Sequence, residues 1–435
     1  MKRNWIWSKM INLVVMIPLV LTACGGGGGN SSSANDTSNE GQKVHLTFTV
    51  WGDVNTGANE QQLADEFNKA HPNIQVKFEP IPSDGYGTKL TTSLAAGQAP
   101  DVFLIGEGDY YKYVDKGVVE PLDDYLSNDS SFSLDIFQKD LIDSMNINGK
   151  QYYLPKDFNP LALWYNKRMF DEAGIAYPSD DWTWDDLIEA AKQLTHKEGN
   201  KYTQFGFNAG KWEYPIYTFL WDHGTDIANE DGTQAEGYMN GEKTVAAIEK
   251  YVALSKGEER VSPTPMDTET LGGDASMFMT DKLAMMVTGR WIKSDLDKSD
   301  VEYGSALIPA GEDGTRTSII ASAGWAINAA SKNKEEAYEL VKWLSGTEAQ
   351  KLRSDNNKVL PATVAELEEV KANEVSDQPV IAMMDYARKP VTLRSAHGPI
   401  FVEEFSKAME KILLDQQDVK SALDEAAKNV DSKIK

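Results

Sequence analysis

Residues 44–78 read VHLTFTVWGDVNTGANEQQLADEFNKAHPNIQVKF, and the change of period within them decides the fold. Val44, Leu46, Phe48 and Val50 alternate with polar residues, the spacing of a half-buried strand. Leu63, Ala64, Phe67 and Ala70 then recur at helical spacing until His71-Pro72 ends the run, and Ile74, Val76 and Phe78 alternate again. Downstream, a helix carrying Leu90 and Leu94 leads to a short apolar strand at Asp101–Ile105. Strand, helix, strand repeated in this way predicts a largely parallel sheet whose ligand-facing loops leave the carboxyl ends of the strands.

The second half carries the same style. Thr183 to Asp186 form a T-x-x-D capping box, with Leu187, Ala190, Ala191 and Leu194 on one helical face after it. A further helix is expected from about Asn333, with Ala337, Leu340, Val341 and Leu344 as its apolar stripe. Phe401, Phe405, Met409, Ile412 and Leu413, then Val419, Leu423, Ala426, Ala427 and Val430, predict two closing helices. The chain of 435 residues is long enough for two such lobes.

The amino-terminal 42 residues belong to neither lobe. Lys2 and Arg3 precede the apolar run Met10–Leu21 and the small residues Thr22-Ala23, the zones of a secretory signal. That run is too short to span a bilayer, which takes about 20 residues. The single Cys of the chain follows as Cys24, and Leu21-Thr22-Ala23-Cys24 resembles the lipobox of bacterial lipoproteins. This resemblance implies that residues 1–23 are removed and that Cys24 is lipidated, tying the protein to the cell membrane. Gly25–Gly29 and the polar residues up to Gln42 are expected to act as a flexible tether, placing the folded body roughly 20–25 Å from the surface.

Sixty-seven acids against 43 bases, a net charge of −24, argue against nucleic acid as a partner, because phosphate recognition requires a basic face. Five His and one Cys leave little for a transition-metal centre, and no cofactor or metal is expected. Ser331-Lys332-Asn333-Lys334 and Ser354-Asp355-Asn356 match two short strings of penicillin-binding enzymes. The K-T-G element is missing, and the first string reads better as the start of a surface helix.

Aromatic residues make up 10% of the chain, and several Trp stand in polar loops where a core does not call for them. A pyranose ring stacks its C–H face on an aromatic ring and presents hydroxyls to Asp, Glu, Asn and Arg, so aromatic and polar residues together at strand ends suggest a carbohydrate site. Strand-end position selects Trp51 and Asp53 after the first strand, Tyr86 on the next strand-to-helix loop, and Glu107 and Asp109 after Asp101–Ile105. Trp212 and Tyr214 follow Phe205-Gly206-Phe207, and Trp291 follows the apolar strand Leu283–Val287. Trp182 and Trp184 fall at the capping box and are expected to pack the helix start.

Several motifs in fixed order carry a family resemblance. Ala99-Pro100-Asp101-Val102-Phe103, Gly149–Pro155, Trp164-Tyr165-Asn166-Lys167, Phe170–Gly174, Gly289-Arg290-Trp291, Ala323–Asn328 and Ser331–Ala337 together resemble the maltose-binding-protein-like class of extracellular solute-binding proteins, over residues 44 to about 430. The resemblance implies an α/β, two-lobed periplasmic-binding-protein-like fold of class II, each lobe a mostly parallel sheet flanked by helices, with three hinge crossings. It places the lobes at 43–157 plus 328–378 and 158–327 plus 379–435, with crossings near Asp157–Pro160, Ala326–Asn328 and Ser376–Val380. It adds Asn159 and Trp325 as ligand contacts, supports Asp109 and Trp291, and implies a monomeric receptor delivering a carbohydrate to an ABC transporter permease. An extracellular glycoside hydrolase is the alternative that the residues themselves leave open, since such enzymes need only two suitably spaced carboxylates.

Overall fold

The computed structural model describes residues 43–52, 58–83, 85–355, 359–373 and 378–435. Cys24, the tether and Asp53 therefore lie outside the described residues, as do Ser376 and Asp377 of the expected third crossing.

Two five-stranded sheets organise the chain. The first runs in the order Ile74–Phe78, Val44–Thr49, Val102–Gly106, Ser322–Ile327, Leu154–Phe158. The first three are mutually parallel, as the sequence period predicts, joined through the helices Ala58–Ala70 and Tyr86–Ala95. Both faces of this sheet are covered. Val102 and Leu104 point into one apolar cluster with Phe48, Phe67 and Leu340, whereas Phe103 and Ile105 point into another with Leu90, Tyr113 and Leu141. That is the period-2 alternation of a strand buried on both sides.

The second sheet has the order Tyr303–Ala306, Leu161–Asn166, Leu283–Gly289, Lys201–Phe207, His196–Glu198. Here the expectation of a mostly parallel sheet is corrected, because only Leu283–Gly289 and Lys201–Phe207 pair in parallel. The cause lies in the crossings. Leu161–Asn166 enters directly from Leu154–Phe158 of the first sheet, so it begins at the end facing the other lobe. Leu283–Gly289 finishes at that same end, with Gly289 opposite Leu161, so the two must run antiparallel.

Ser322–Ile327 obeys the same rule. It returns from the second lobe, starts at the interlobe end with Ala323 opposite Gly106, and runs antiparallel to both its neighbours. This strand belongs to the first sheet, so the boundary expected at Ala326–Asn328 is corrected to a point before Ser322. Beyond the helices Lys334–Ser345 and Thr347–Asp355, Ala362 packs with the first lobe, while Leu360, Leu367, Val370, Val380 and Ile381 join the second-lobe core. The transfer is thus under way before the expected Ser376–Val380. The closing helices are Gly398–Leu413 and Val419–Lys433, with Phe401, Phe405, Met409, Leu423 and Val430 buried in the second-lobe core. Among the described residues no helix is long and apolar enough to cross a membrane.

Candidate functional site

A cavity of about 460 Å³ lies between the sheets, lined from the first lobe by Trp51, Glu60, Ser83, Glu107, Lys156 and Asp157. The second lobe contributes Tyr214, Trp291, Ser294 and Asp295, and the crossing segments contribute Asn159 and Ala321–Ala323. Its size is that of a small-molecule site.

Trp51 lies two residues beyond the first strand and is held by an isolated bridge to Ile81. Tyr86 meets it edge-on, with ring centroids 5.5 Å apart at 85°, while its own hydroxyl donates to the Leu104 carbonyl at 2.8 Å. Tyr86 is buried and stands behind Trp51 rather than in the cavity. The expected direct contact is corrected to a backing role, because Tyr86 opens the helix Tyr86–Ala95 and turns its ring towards the sheet.

Glu107 and Asp109 are parted by the short helical turn they share, where residues two apart project in different directions. Glu107 faces the cavity and is almost fully buried. Its carboxylate accepts from the Tyr214 hydroxyl of the second lobe and from the Ser322 amide at 3.1 Å, so one side chain joins both lobes and a crossing strand. Burial pushes its pKa up to about 7 despite those donors. Asp109 does not line the cleft cavity. It pairs with Lys112 at 2.9 Å and borders a separate interlobe hollow, which corrects its expected role.

At the first crossing, Asn159 is buried and its side-chain oxygen accepts from the Leu360 amide at 3.1 Å. It lines the cavity and at the same time fixes the hinge. Asp157, two residues earlier, accepts from the Ala323 amide at 3.2 Å and pairs with Lys156 at 2.9 Å, both charges largely buried. Lys156, Glu60, Ser294 and Asp295 were not singled out by the sequence reading. For Lys156 the strand end at Phe158 was an available signal.

In the second lobe, Trp291, Trp212 and Tyr214 form a continuous aromatic rim. The rings of Trp212 and Trp291 meet edge-on at 5.9 Å and 71°, and those of Trp212 and Tyr214 lie 5.1 Å apart. Trp291 follows its strand through a short helical turn and keeps 37% of its surface exposed, a large value for Trp. Gly289 makes its pose feasible. A Cβ there would stand 2.0 Å from the indole, so any side chain at 289 would expel the ring. Trp212 lines an adjoining hollow rather than the main cavity.

Trp325 is corrected outright. It is fully buried in the first-lobe core, opposite Leu104 and Leu154, with Phe48 against its edge. Alternation along Ser322–Ile327 sends Ala323, Trp325 and Ile327 to one helix-covered face. Trp184 is a core residue, as expected, with its indole N–H donating to Asp222 at 3.0 Å. Among the described residues no group of His, Cys, Asp and Glu is arranged to hold a metal ion.

The arrangement gives aromatic faces from opposite lobes and a ring of carboxylate, amide, hydroxyl and ammonium groups between them, the chemistry of hydroxyl-rich ligands. Glu107 is expected to make ligand binding sensitive to pH. Burial raises its pKa to about 7 from the ordinary 4.5, and an opening of the cleft that parts it from Tyr214 and hydrates it would let that pKa fall back. Closure is then expected to be favoured fully below about pH 4.5, to weaken as pH rises towards 7 and to be level above it, by at most about tenfold in affinity per pH unit. Calorimetric titrations from pH 5 to 8 are expected to show this decline in the wild type and a flat profile in Glu107→Gln. An unchanged slope in the variant would assign the dependence elsewhere.

The family profile described as bacterial extracellular solute-binding protein matches residues 51–351. A galactooligosaccharide-binding protein of Bacillus subtilis is 24% identical, covering 97% of this chain and 96% of its own. An erythritol/L-threitol-binding protein of Mycolicibacterium smegmatis is 27% identical over 66% of this chain and 64% of its own. Among solved structures, an ABC substrate-binding protein of Listeria monocytogenes in complex with cycloalternan superposes with a TM-score of 0.81 at 27% identity, over 90% of this chain and 99% of that one. With a profile match across most of its length and two lobes enclosing a polar, aromatic cavity, this chain belongs to the bacterial extracellular solute-binding protein family.

Proposed function

We propose that this protein captures a carbohydrate between its lobes and hands it to an ABC importer, without chemically altering it. The observation that carries this reading is the pairing of Trp51 and Trp291, from opposite lobes, around the polar groups of one cavity. A ring stacked on both would hold the lobes together, so binding favours the closed form in proportion to its preference for it. The named ligands of the relatives, galactooligosaccharide, erythritol and cycloalternan, are all polyhydroxylated and support the same class. Lobe boundaries follow the two sheets, with Trp51, Glu107, Asp157, Asn159, Tyr214 and Trp291 as ligand contacts and Asp53 as a further one.

A thermal-shift screen against defined saccharides tests the proposal, since a ligand at 100 times its dissociation constant adds about 2.7 kcal/mol of native stability. Saturable stabilisation without new reducing ends supports a receptor. New reducing ends would instead reveal a glycoside hydrolase.

The receptor is further proposed to be monomeric and to work outside the cytoplasm, anchored by lipid on Cys24. Replacing Cys24 with Ser is expected to release the protein into the medium with its saccharide affinity unchanged. Retention of the variant in the membrane fraction would overturn the anchor.

A further inference from the structure

A second hollow, of about 190 Å³, opens in the second lobe beside the main cavity and shares Trp291 and Asp295 with it. Trp291 thus borders both hollows. Trp212 forms an aromatic wall of the second hollow, and Asn208, Asp274, Thr288 and the shared Asp295 are among its polar residues.

Asn208 and Asp274 each carry a side-chain oxygen that is closed to solvent and met by no donor. Asp274 has no ion-pair partner among the described residues, and burial raises its pKa, an effect that hydrogen bonding with Asn208 partly offsets. Two orphaned acceptors side by side are costly unless something supplies donors. The terminal torsions of Asn and Asp are broad, so a small turn brings either oxygen to the hollow. What the hollow lacks is therefore hydroxyl donors on a ligand that covers the Trp212 and Trp291 rings.

From this we infer that the saccharide runs past Trp291, with one ring in the main cavity and the next in this hollow, its hydroxyls donating to Asp274 and Asn208. The inference rests on the carbohydrate reading above and makes Asp274 the residue that selects ligands of two or more rings. Monosaccharides reach only the main cavity and gain nothing from it.

The test is a length series by calorimetry, using the mono-, di- and trisaccharides of α-1,4-glucose, β-1,4-galactose and β-1,4-mannose, with wild type, Asp274→Ala, Asp274→Asn and Asn208→Ala. In whichever series binds, the wild type is expected to prefer two rings to one. Asp274→Ala and Asn208→Ala should weaken di- and trisaccharides by about tenfold or more while leaving the monosaccharide within about threefold. Asp274→Asn keeps the shape and guards against misfolding. It keeps one acceptor oxygen but not the charge, so it should show a smaller loss that is still length-dependent, with an unchanged circular dichroism spectrum. Equal losses at every length, no loss at any length, or a wild type indifferent to length would overturn the second hollow's role. Absence of binding by the wild type to every saccharide would overturn the carbohydrate reading itself, and this assignment with it.

Discussion

Trp291→Ala is expected to lower saccharide affinity by about 1.5–4 kcal/mol, roughly 10- to 1000-fold, because it removes the larger of the two aromatic rings that the second lobe brings to the main cavity. The residue is 37% exposed and lines two open cavities, so its loss opens no sealed void in the core. Apo stability should fall by about 1 kcal/mol or less, as for partly exposed positions generally. Because the ring also contributes to closure, ligand-induced compaction measured by small-angle scattering should shrink as well. Gly289→Ala offers an independent route to the same phenotype, since a Cβ there would displace the indole without deleting it. The assignment fails if Trp291→Ala binds normally yet unfolds several kcal/mol more easily.

Trp325→Ala should do the reverse. This indole is fully enclosed between the first sheet and its helices, with Phe48 at 5.9 Å and the Arg353 guanidinium over its ring at 5.4 Å. Truncation leaves a void that the close-packed strands Val102–Gly106 and Leu154–Phe158 cannot fill, and a loss of about 3–5 kcal/mol is expected in urea denaturation. Protein that remains folded should bind within about threefold of the wild type. Arg353 would also lose the ring beneath it, so its buried charge adds to the cost. A steep loss of affinity with unchanged stability would return Trp325 to the binding site. Together the two substitutions separate an aromatic residue that serves the ligand from one that serves the fold.

Features that depend on near neighbours along the chain could be read from the order of the amino acids. The alternation Val44, Leu46, Phe48 and the helical spacing of Leu63, Ala64 and Phe67 produced the parallel strands of the first lobe where the period placed them. Thr183 and Asp186 close their capping box reciprocally because the two groups lie within one helical turn. Strand-end position brought Trp51, Glu107 and Trp291 to the cavity, since the carboxyl ends of those strands face the other lobe. Matters that depend on partners far along the chain were settled by the packing of the folded lobes. Period 2 shows that Trp325 and Gly324 lie on opposite faces of their strand, but both faces are covered in this sheet, so alternation alone could not tell core from cleft. Likewise the antiparallel pairing of Leu161–Asn166 with Leu283–Gly289 follows from where the chain enters the second lobe. The polar half of the site, Glu60, Asp157, Ser294 and Asp295, comes from segments more than 90 residues apart, or nearly 140, that only folding brings around one space. A charged side chain on a loop looks the same in sequence whether it meets water or a ligand. What distinguishes the two is the opposing lobe, which removes the water.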